Sequence, residues 1–76
     1  MTRDRLLQEI AQVEHMLERV EGHIRRQELI IADLTAAGRP LLVDEARVLL
    51  AKFQELRNED IARRDCLLKE LESLQS

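Results

Sequence analysis

Apolar residues in the first half of the chain recur at alternating spacings of three and four, the heptad repeat of a helix that packs along one seam. Eight of ten consecutive a and d positions are apolar, and the exceptions are Arg3 near the start and Gln27 in the interior. Met16 and Ile30 widen the apolar stripe, which favours a bundle of more than two helices over a two-stranded coiled coil. The apolar a and d positions are Leu6, Ile10, Val13, Leu17, Val20, Ile24, Ile31 and Leu34.

Capping signals place this first helix at about residues 2–37. Thr2 is suited to the N-cap position, where its hydroxyl can accept a hydrogen bond from a free backbone N–H. At the other end, Gly38 can take the left-handed conformation that closes many helices, and Pro40 cannot continue a helix already under way. We therefore expect the first helix to end directly before Gly38.

The second helix begins somewhere in residues 40–45, and two starting points fit the sequence. Pro40 can be its first residue, or Asp44 can cap it after an apolar linker. We assign the turn to residues 38–42 and the second helix to about residues 43–74. Either starting point leaves a short connection, which makes the two helices antiparallel neighbours.

Polar residues interrupt the apolar face of the second helix in its middle. The interruption, called here the polar stretch, consists of Arg57, Asp60 and Arg64. Because two helices with one apolar face each cannot cover both faces as a lone pair, we predict an all-α antiparallel hairpin that dimerises into a four-helix bundle. On a helical projection, the apolar residues that share the face of the second helix are Ala46, Leu49, Leu50, Phe53, Leu56, Leu67, Leu68, Leu71 and Leu74.

The polar stretch matches a row of acidic residues on the first helix. A hairpin folded at residues 39–40 brings residues to the same level where their numbers add up to about 79. Arg64 then lies opposite Glu14, and Arg57 lies opposite Glu21. We predict that these pairs form a salt-bridge layer that fixes the register of the two helices.

Two further polar features bear on the register. Asp60 and Arg64 have the spacing of an i,i+4 ion pair on their own helix. Gln27 resembles the buried amides that set register in coiled coils, although its position also fits a partly exposed bundle edge. We therefore assign Gln27, Arg57, Asp60 and Arg64 to register and specificity.

Length and cysteine content favour a small cytoplasmic domain that needs a partner. A chain of 76 residues forms one domain, and below about 70–80 residues a domain usually requires a disulfide, a metal or a second subunit. Cys66 is the only cysteine, and a lone thiol is typical of a reducing compartment. The sequence shows neither a signal-peptide pattern nor an apolar run of spanning length, so we expect a cytoplasmic protein without membrane contact.

The charge of the chain disfavours nucleic acid as its partner. The net charge is −3, whereas binding to phosphates requires a concentrated positive face. Two arginine pairs, Arg25 with Arg26 and Arg63 with Arg64, could form a local patch, but acidic residues flank both. A small RNA- or DNA-binding regulator built as a hairpin dimer is therefore our alternative interpretation.

The sequence contains no recognisable catalytic or metal-binding pattern. His15 and His23 are eight residues apart on one helix and cannot bind one ion together, and the Glu-x-x-His motif of di-iron bundles is absent. His23 lies beside the seam, where a metal- or haem-binding role is a further hypothesis. Cys66 has no identifiable base to activate its thiol. We predict a protein that is not an enzyme and uses no cofactor or metal.

One set of motifs runs through most of the chain. A histidine is followed eight residues later by His-Ile-x-x-Gln, then by a glycine turn, by Glu-Ala-Arg-x-Leu-Leu and by Arg-Asp-x-Leu-Leu. This arrangement resembles a group of short bacterial proteins without an assigned function, whose members often have a further histidine near the position of Asp60. The resemblance implies a bacterial helical hairpin and no particular activity. The matching residues are His15, His23, Ile24, Gln27, Gly38, Glu45, Ala46, Arg47, Leu49, Leu50, Arg64, Asp65, Leu67 and Leu68.

These observations together predict a non-enzymatic module for protein–protein interaction or oligomerisation. Its expected partner is a second copy of the chain, and another helical protein is the alternative partner. The residues expected to carry the interface are Ile10, Val13, Leu17, Val20, Ile24, Ile31, Leu50, Phe53, Leu67 and Leu71.

Overall fold

The computed structural model describes residues 2–75, which form two long α-helices. Helix α1 spans Thr2–Ala36, and helix α2 spans Pro40–Gln75. The helices pack side by side as an antiparallel hairpin with dimensions of 56 × 14 × 14 Å between Cα atoms. The all-α fold of two packed helices, predicted from the heptad pattern, is confirmed.

Helix α1 ends in a Schellman motif built on Gly38. The φ angle of Gly38 is 69°, in the left-handed region that side chains with a Cβ rarely adopt. The N–H of Gly38 donates to the carbonyl oxygen of Thr35 at 3.1 Å, and the N–H of Arg39 donates to that of Leu34 at 3.1 Å. These bonds provide donors for carbonyl groups at the helix end that no N–H group within the helix reaches.

Helix α2 begins at Pro40, which is one of the two predicted starting points, so the assignment of residues 40–42 to the turn is wrong. The carbonyl oxygen of Arg39 accepts a hydrogen bond from the N–H of Val43 at 3.0 Å, which makes Pro40 the first helical residue. Proline fits there because N–H groups of the first turn have no intrahelical acceptor and because its φ is already helical. The residues assigned to a linker therefore form the first turn of α2.

The core of the hairpin is the seam between the two helices, and α1 supplies most of its buried side chains. The a and d positions from Leu6 to Ile24 are all buried, and Val13 is the most buried of them. Each such side chain stabilises the fold by about 1.5–3 kcal/mol relative to an exposed one. Ile31 and Leu34, nearer the turn, are only half-buried.

The residues of α2 that face the seam occupy the a and d positions of a regular heptad, which begins at the fourth residue of the helix. Three of these positions are buried and the others are half-buried. The polar stretch occupies three consecutive positions of this heptad, between two apolar segments. The a and d positions of α2 up to its penultimate turn are Val43, Ala46, Leu50, Phe53, Arg57, Asp60, Arg64, Leu67 and Leu71.

Three leucines that the helical projection grouped with this face lie outside the seam. Leu49, Leu56 and Leu68 are exposed, because the single neighbouring helix covers a narrower stripe than a bundle would. The contact stripe of α2 is therefore narrower than predicted.

The hairpin folds about Gly38, the centre of the turn, rather than at residues 39–40. Accordingly, His23 of α1 stacks on Phe53 of α2 with ring centroids 5.4 Å apart, and both residues are equally far from Gly38 along the chain. The register differs from the predicted one by about three residues. This shift changes which residues of α1 lie opposite the polar stretch.

Candidate interaction surface

The structure places the residues predicted to carry the interface in the seam inside the hairpin. Because the neighbouring helix covers most of their surface, a second molecule can reach mainly the residues that flank the seam. Of the predicted set, the buried members are Ile10, Val13, Leu17, Val20, Ile24 and Leu67, and the half-buried members are Ile31, Leu50, Phe53 and Leu71.

One flank of the seam carries a row of exposed side chains from both helices, called here the lateral face. Its residues occupy the g position of the heptad on each helix, and g positions lie on the same side of an antiparallel pair. The exposed fraction of its aliphatic members ranges from 40% for Ile30 to 54% for Met16. The lateral face consists of Met16, His23 and Ile30 of α1 and Leu42, Leu49 and Leu56 of α2.

An open groove of about 340 Å³ lies in the lateral face between the two helices. Its lining includes the stacked rings of His23 and Phe53, which are 18° from parallel, and the side chains of Met16 and Leu56. An open groove with an apolar lining can receive an apolar side chain from another surface. The lateral face is therefore apolar and also contains a groove that another surface can fill.

The polar stretch lies within the seam, where Arg57, Asp60 and Arg64 are half-buried. Nη2 of Arg64 lies 3.4 Å from Oδ1 of the neighbouring Asp65, and Nε of Arg64 is buried without a hydrogen-bond partner. A buried polar donor left unsatisfied costs about 1–3 kcal/mol. The polar stretch is therefore the least favourable part of the seam.

The predicted salt-bridge layer between the helices is wrong. Within residues 2–75, neither Glu14 with Arg64 nor Glu21 with Arg57 forms an ion pair. In the register set by the turn at Gly38, Arg64 and Arg57 each lie about two residues, or 3 Å along the helix axis, from the level of the predicted glutamate. Both glutamates remain exposed, where a salt bridge gains little over contact with water.

Within the described residues, each ion pair joins two residues of one helix. Nε of Arg5 lies 3.8 Å from Oε1 of Glu9, and the second pair is Arg64 with Asp65. The i,i+4 pair predicted between Asp60 and Arg64 is wrong, since the Arg64 side chain contacts Asp65 instead. These pairs lie at the surface and do not link the helices.

Gln27 is buried in the seam and bonds across it. Its Nε2 donates a hydrogen bond to the carbonyl oxygen of Ala46 at 2.9 Å. The short side chain of Ala46 leaves room for the amide to reach the backbone of α2. A directional bond between helices disfavours slippage, so this contact suits the register role, which stays a prediction.

The opposite flank of the seam differs from the lateral face in charge. Glu14, Glu21 and Glu28 occupy one heptad position there and are exposed. Leu7 and Leu68 form a smaller exposed apolar area near the ends of the chain. The longest run of exposed apolar side chains beside the seam is therefore on the lateral face.

The residues considered for chemistry are dispersed over the surface. His15 and Cys66 are exposed. Within residues 2–75, no three histidine, cysteine or acidic side chains converge on a site that could hold a metal ion. Over the same residues, neither helix has an apolar stretch of the length and hydropathy needed to cross a membrane.

Sequence reasoning missed the contribution of residues near the turn. Val43 is buried in the seam and Leu42 belongs to the lateral face, yet Leu42 was assigned to the turn and Val43 was not counted among the apolar residues of the seam. The signal was present, because continuing the heptad of α2 back from Ala46 by three residues reaches Val43.

Comparison with protein-family models, with curated proteins and with solved structures finds no match. The resemblance to short bacterial proteins therefore stays a prediction. What the chain does must be argued from its own surface.

Proposed function

We propose that this chain is a non-enzymatic cytoplasmic module for protein–protein interaction, which pairs with a second copy to form a four-helix bundle. The observation that supports the proposal best is the lateral face, on which five large aliphatic side chains remain 40–54% exposed. Single exposed apolar residues are normal on a protein surface, whereas a contiguous row bordered by charged residues is typical of an interaction site.

The exposed area of the hairpin supports the same proposal. A folded monomer of 8.9 kDa exposes about 4,800 Å² on the usual scaling with mass. This hairpin exposes 5997 Å², because two helices side by side leave most of each helix uncovered. One face of 56 by 14 Å amounts to about 800 Å², the area that each partner contributes to a standard interface.

The energy available from the lateral face is sufficient for a dimer of moderate affinity. Covering a half-exposed aliphatic side chain contributes about 1 kcal/mol, so five on each copy contribute on the order of 10 kcal/mol per dimer. Association costs roughly 4–15 kcal/mol in lost freedom of motion, but the a, d and g stripe also gains packing contacts typical of four-helix bundles. At the lower end of this cost a net gain of about 6 kcal/mol remains, which corresponds to a dissociation constant of roughly tens of micromolar.

Sedimentation equilibrium of the full chain, across micromolar concentrations and at two salt levels, tests the proposal. We expect a reversible monomer–dimer equilibrium with a dimer of twice 8.9 kDa. Because the contact is mainly apolar, added salt should change the dissociation constant little. A monomer at every concentration would contradict self-association and favour another helical protein as the partner.

A small RNA- or DNA-binding regulator of the hairpin-dimer type is the second candidate function. Arg5, Arg19 and Arg26 share one heptad position of α1 and are exposed, which aligns three positive charges along the helix. Asp33 ends this row, and the net charge of −3 opposes binding to phosphates. Retention on immobilised nucleic acid that falls as salt rises would support this candidate, and no retention at low salt would exclude it.

A further inference from the structure

The proposed dimer has two symmetric arrangements through the lateral face, and the positions of side chains on that face favour one of them. We propose that the two copies pair about a two-fold axis parallel to the hairpin, so that α1 of one copy packs antiparallel on α2 of the other. This inference rests on the self-association proposed above. In the other arrangement, the axis is perpendicular to the helices, and α1 packs on α1 and α2 on α2.

The spacing of side chains on the lateral face fits the parallel axis. Residues equally far from the centre of the turn lie at the same level of the hairpin. Ile30 is therefore level with the midpoint between Leu42 and Leu49, and His23 with the midpoint between Leu49 and Leu56. Because a parallel axis keeps every residue at its level, these two α1 side chains enter the gaps between the α2 leucines of the second copy.

A perpendicular axis through the centre of the lateral face loses this fit. It places His23 directly against His23 of the second copy. It also brings Leu49 level with Leu56 of the second copy, so that side chains meet end to end instead of interdigitating. Interdigitation is the basis of close packing between helices, so the perpendicular arrangement buries the same residues less well.

Charges along the edges of the lateral face disfavour the perpendicular axis more than the parallel one. The edges are the c positions, which border the g positions on each helix. The parallel axis brings the unlike edges together, whereas the perpendicular axis sets each edge against itself. The α1 edge carries Arg5, Arg19, Arg26 and Asp33, with a net charge of +2, and the α2 edge carries Glu45, Lys52 and Glu59, with a net charge of −1.

Arg19 and Glu59 form the attractive pair in this arrangement. They lie within about 3 Å of the same level along the axis, so a symmetric dimer contains two such pairs. The perpendicular axis instead brings Arg19 beside Arg26 and Glu59 beside Glu45 of the second copy. Reversing the charge of Arg19 should therefore weaken the dimer with the parallel axis and strengthen the dimer with the perpendicular axis.

Two like-charged contacts remain in the parallel arrangement and provide a second readout. Arg26 lies near Lys52 of the second copy, and Asp33 lies near Glu45. Lys52→Glu turns the first contact into an attraction and should tighten the dimer about threefold. With a perpendicular axis, residue 52 faces its own equivalent, so the same variant would leave the affinity unchanged.

A charge-reversal cycle, measured by sedimentation equilibrium of the full chain, tests the geometry. Arg19→Glu and Glu59→Arg should each raise the dissociation constant about three- to tenfold, because each places like charges together twice per dimer. The double variant should return to within about twofold of the unaltered chain. Arg25→Glu, which makes the same change in net charge on the other side of α1, is the matched control and should leave the dissociation constant unchanged.

Two kinds of result would overturn the inference, and they are distinguishable. A dimer that is tightened by Arg19→Glu, or a double variant weaker than both single variants, would overturn the parallel geometry while self-association stands. An unaltered chain that stays monomeric would overturn self-association and the geometry with it.

Discussion

Leu17 and Leu29 are the same residue type on one helix, but their environments differ because of their heptad positions. Leu17 is 5% exposed in the seam, whereas Leu29 is 67% exposed on the outer side of α1. The alternating spacing of three and four predicts this difference from the sequence alone. At the scale of single residues, the core of α1 from Leu6 to Ile24 was therefore predictable, whereas Ile31 and Leu34 are less buried than their heptad positions predict.

The contrast between these leucines gives a matched prediction of stability. Leu17→Ala should lower the free energy of unfolding by about 2–5 kcal/mol, because it removes buried apolar volume and leaves a cavity. Leu29→Ala should change it by less than about 0.5 kcal/mol. Urea denaturation followed by circular dichroism, at one protein concentration, measures both values. Equal losses for the two variants would contradict the assignment of the seam.

The polar residues in the seam differ in whether their buried donor groups have a hydrogen-bond acceptor. The side-chain amide of Gln27 donates to a carbonyl oxygen of α2, whereas Nε of Arg64 is buried without a partner. Buried polar groups stabilise a structure only when they are satisfied. Arg64 should therefore be replaceable with a gain in stability.

Replacing Asp60 and Arg64 together by leucine should raise the thermal stability of the chain. The variant removes an unsatisfied donor and fills the gap between the two apolar segments of α2, a gain of about 1–4 kcal/mol in comparable replacements of buried charges. The same change should allow the helices to pair in more than one register. NMR spectra would show this as broadened or duplicated amide signals. A large fall in melting temperature would contradict this account of the polar stretch.

At the scale of helices, the end of α1 was predictable and the beginning of α2 was not. Gly38 has one strong role, the left-handed residue that closes a helix. Pro40 fits both a linker and the first position of a helix, so the sequence left two starting points open. The predicted fold point at residues 39–40 lay past the actual centre of the turn at Gly38, and this error shifted the register and the expected partners of Arg57 and Arg64.

The candidate site was predictable only in part, for a similar reason. A heptad shows which residues share a stripe, but not which of them the neighbouring helix covers. The predicted interface was therefore assigned to the stripe that the neighbouring helix covers, and it included none of the residues of the lateral face. Residues such as Met16 and Ile30, which widen the stripe, belong to the part that remains open.

Replacing each of the two glycines by alanine should have opposite effects on the free energy of unfolding. Gly22→Ala should raise the free energy of unfolding by about 0.5–1 kcal/mol, because alanine favours the helix and the nearest atom to an added Cβ is Nη2 of Arg25 at 3.9 Å. Gly38→Ala should lower it by about 1–2 kcal/mol, because alanine is strained at a φ of 69°. Thermal unfolding by circular dichroism compares the two. A stabilising Gly38→Ala would show that the turn differs from the one described.

At the scale of the whole molecule, the hairpin is a rod with one covered seam and little else buried. Its exposed area of 5997 Å² exceeds by about a quarter the value expected for a compact monomer of its mass. In the proposed dimer, pairing through the lateral face would add a second layer of packing. Because a partner that binds the folded state stabilises it, the melting temperature should rise with protein concentration.

The most direct test of the account compares Leu49→Glu with Leu41→Glu by sedimentation equilibrium. Both variants add one negative charge to α2, but Leu49 lies on the lateral face, whereas Leu41 is 79% exposed on the outer side of the helix. Leu49→Glu should raise the dissociation constant of the dimer about a hundredfold or more, since the proposed interface would enclose two glutamates in place of two leucines, while Leu41→Glu should leave it unchanged. If both variants assemble as the unaltered chain does, the lateral face is not the interface.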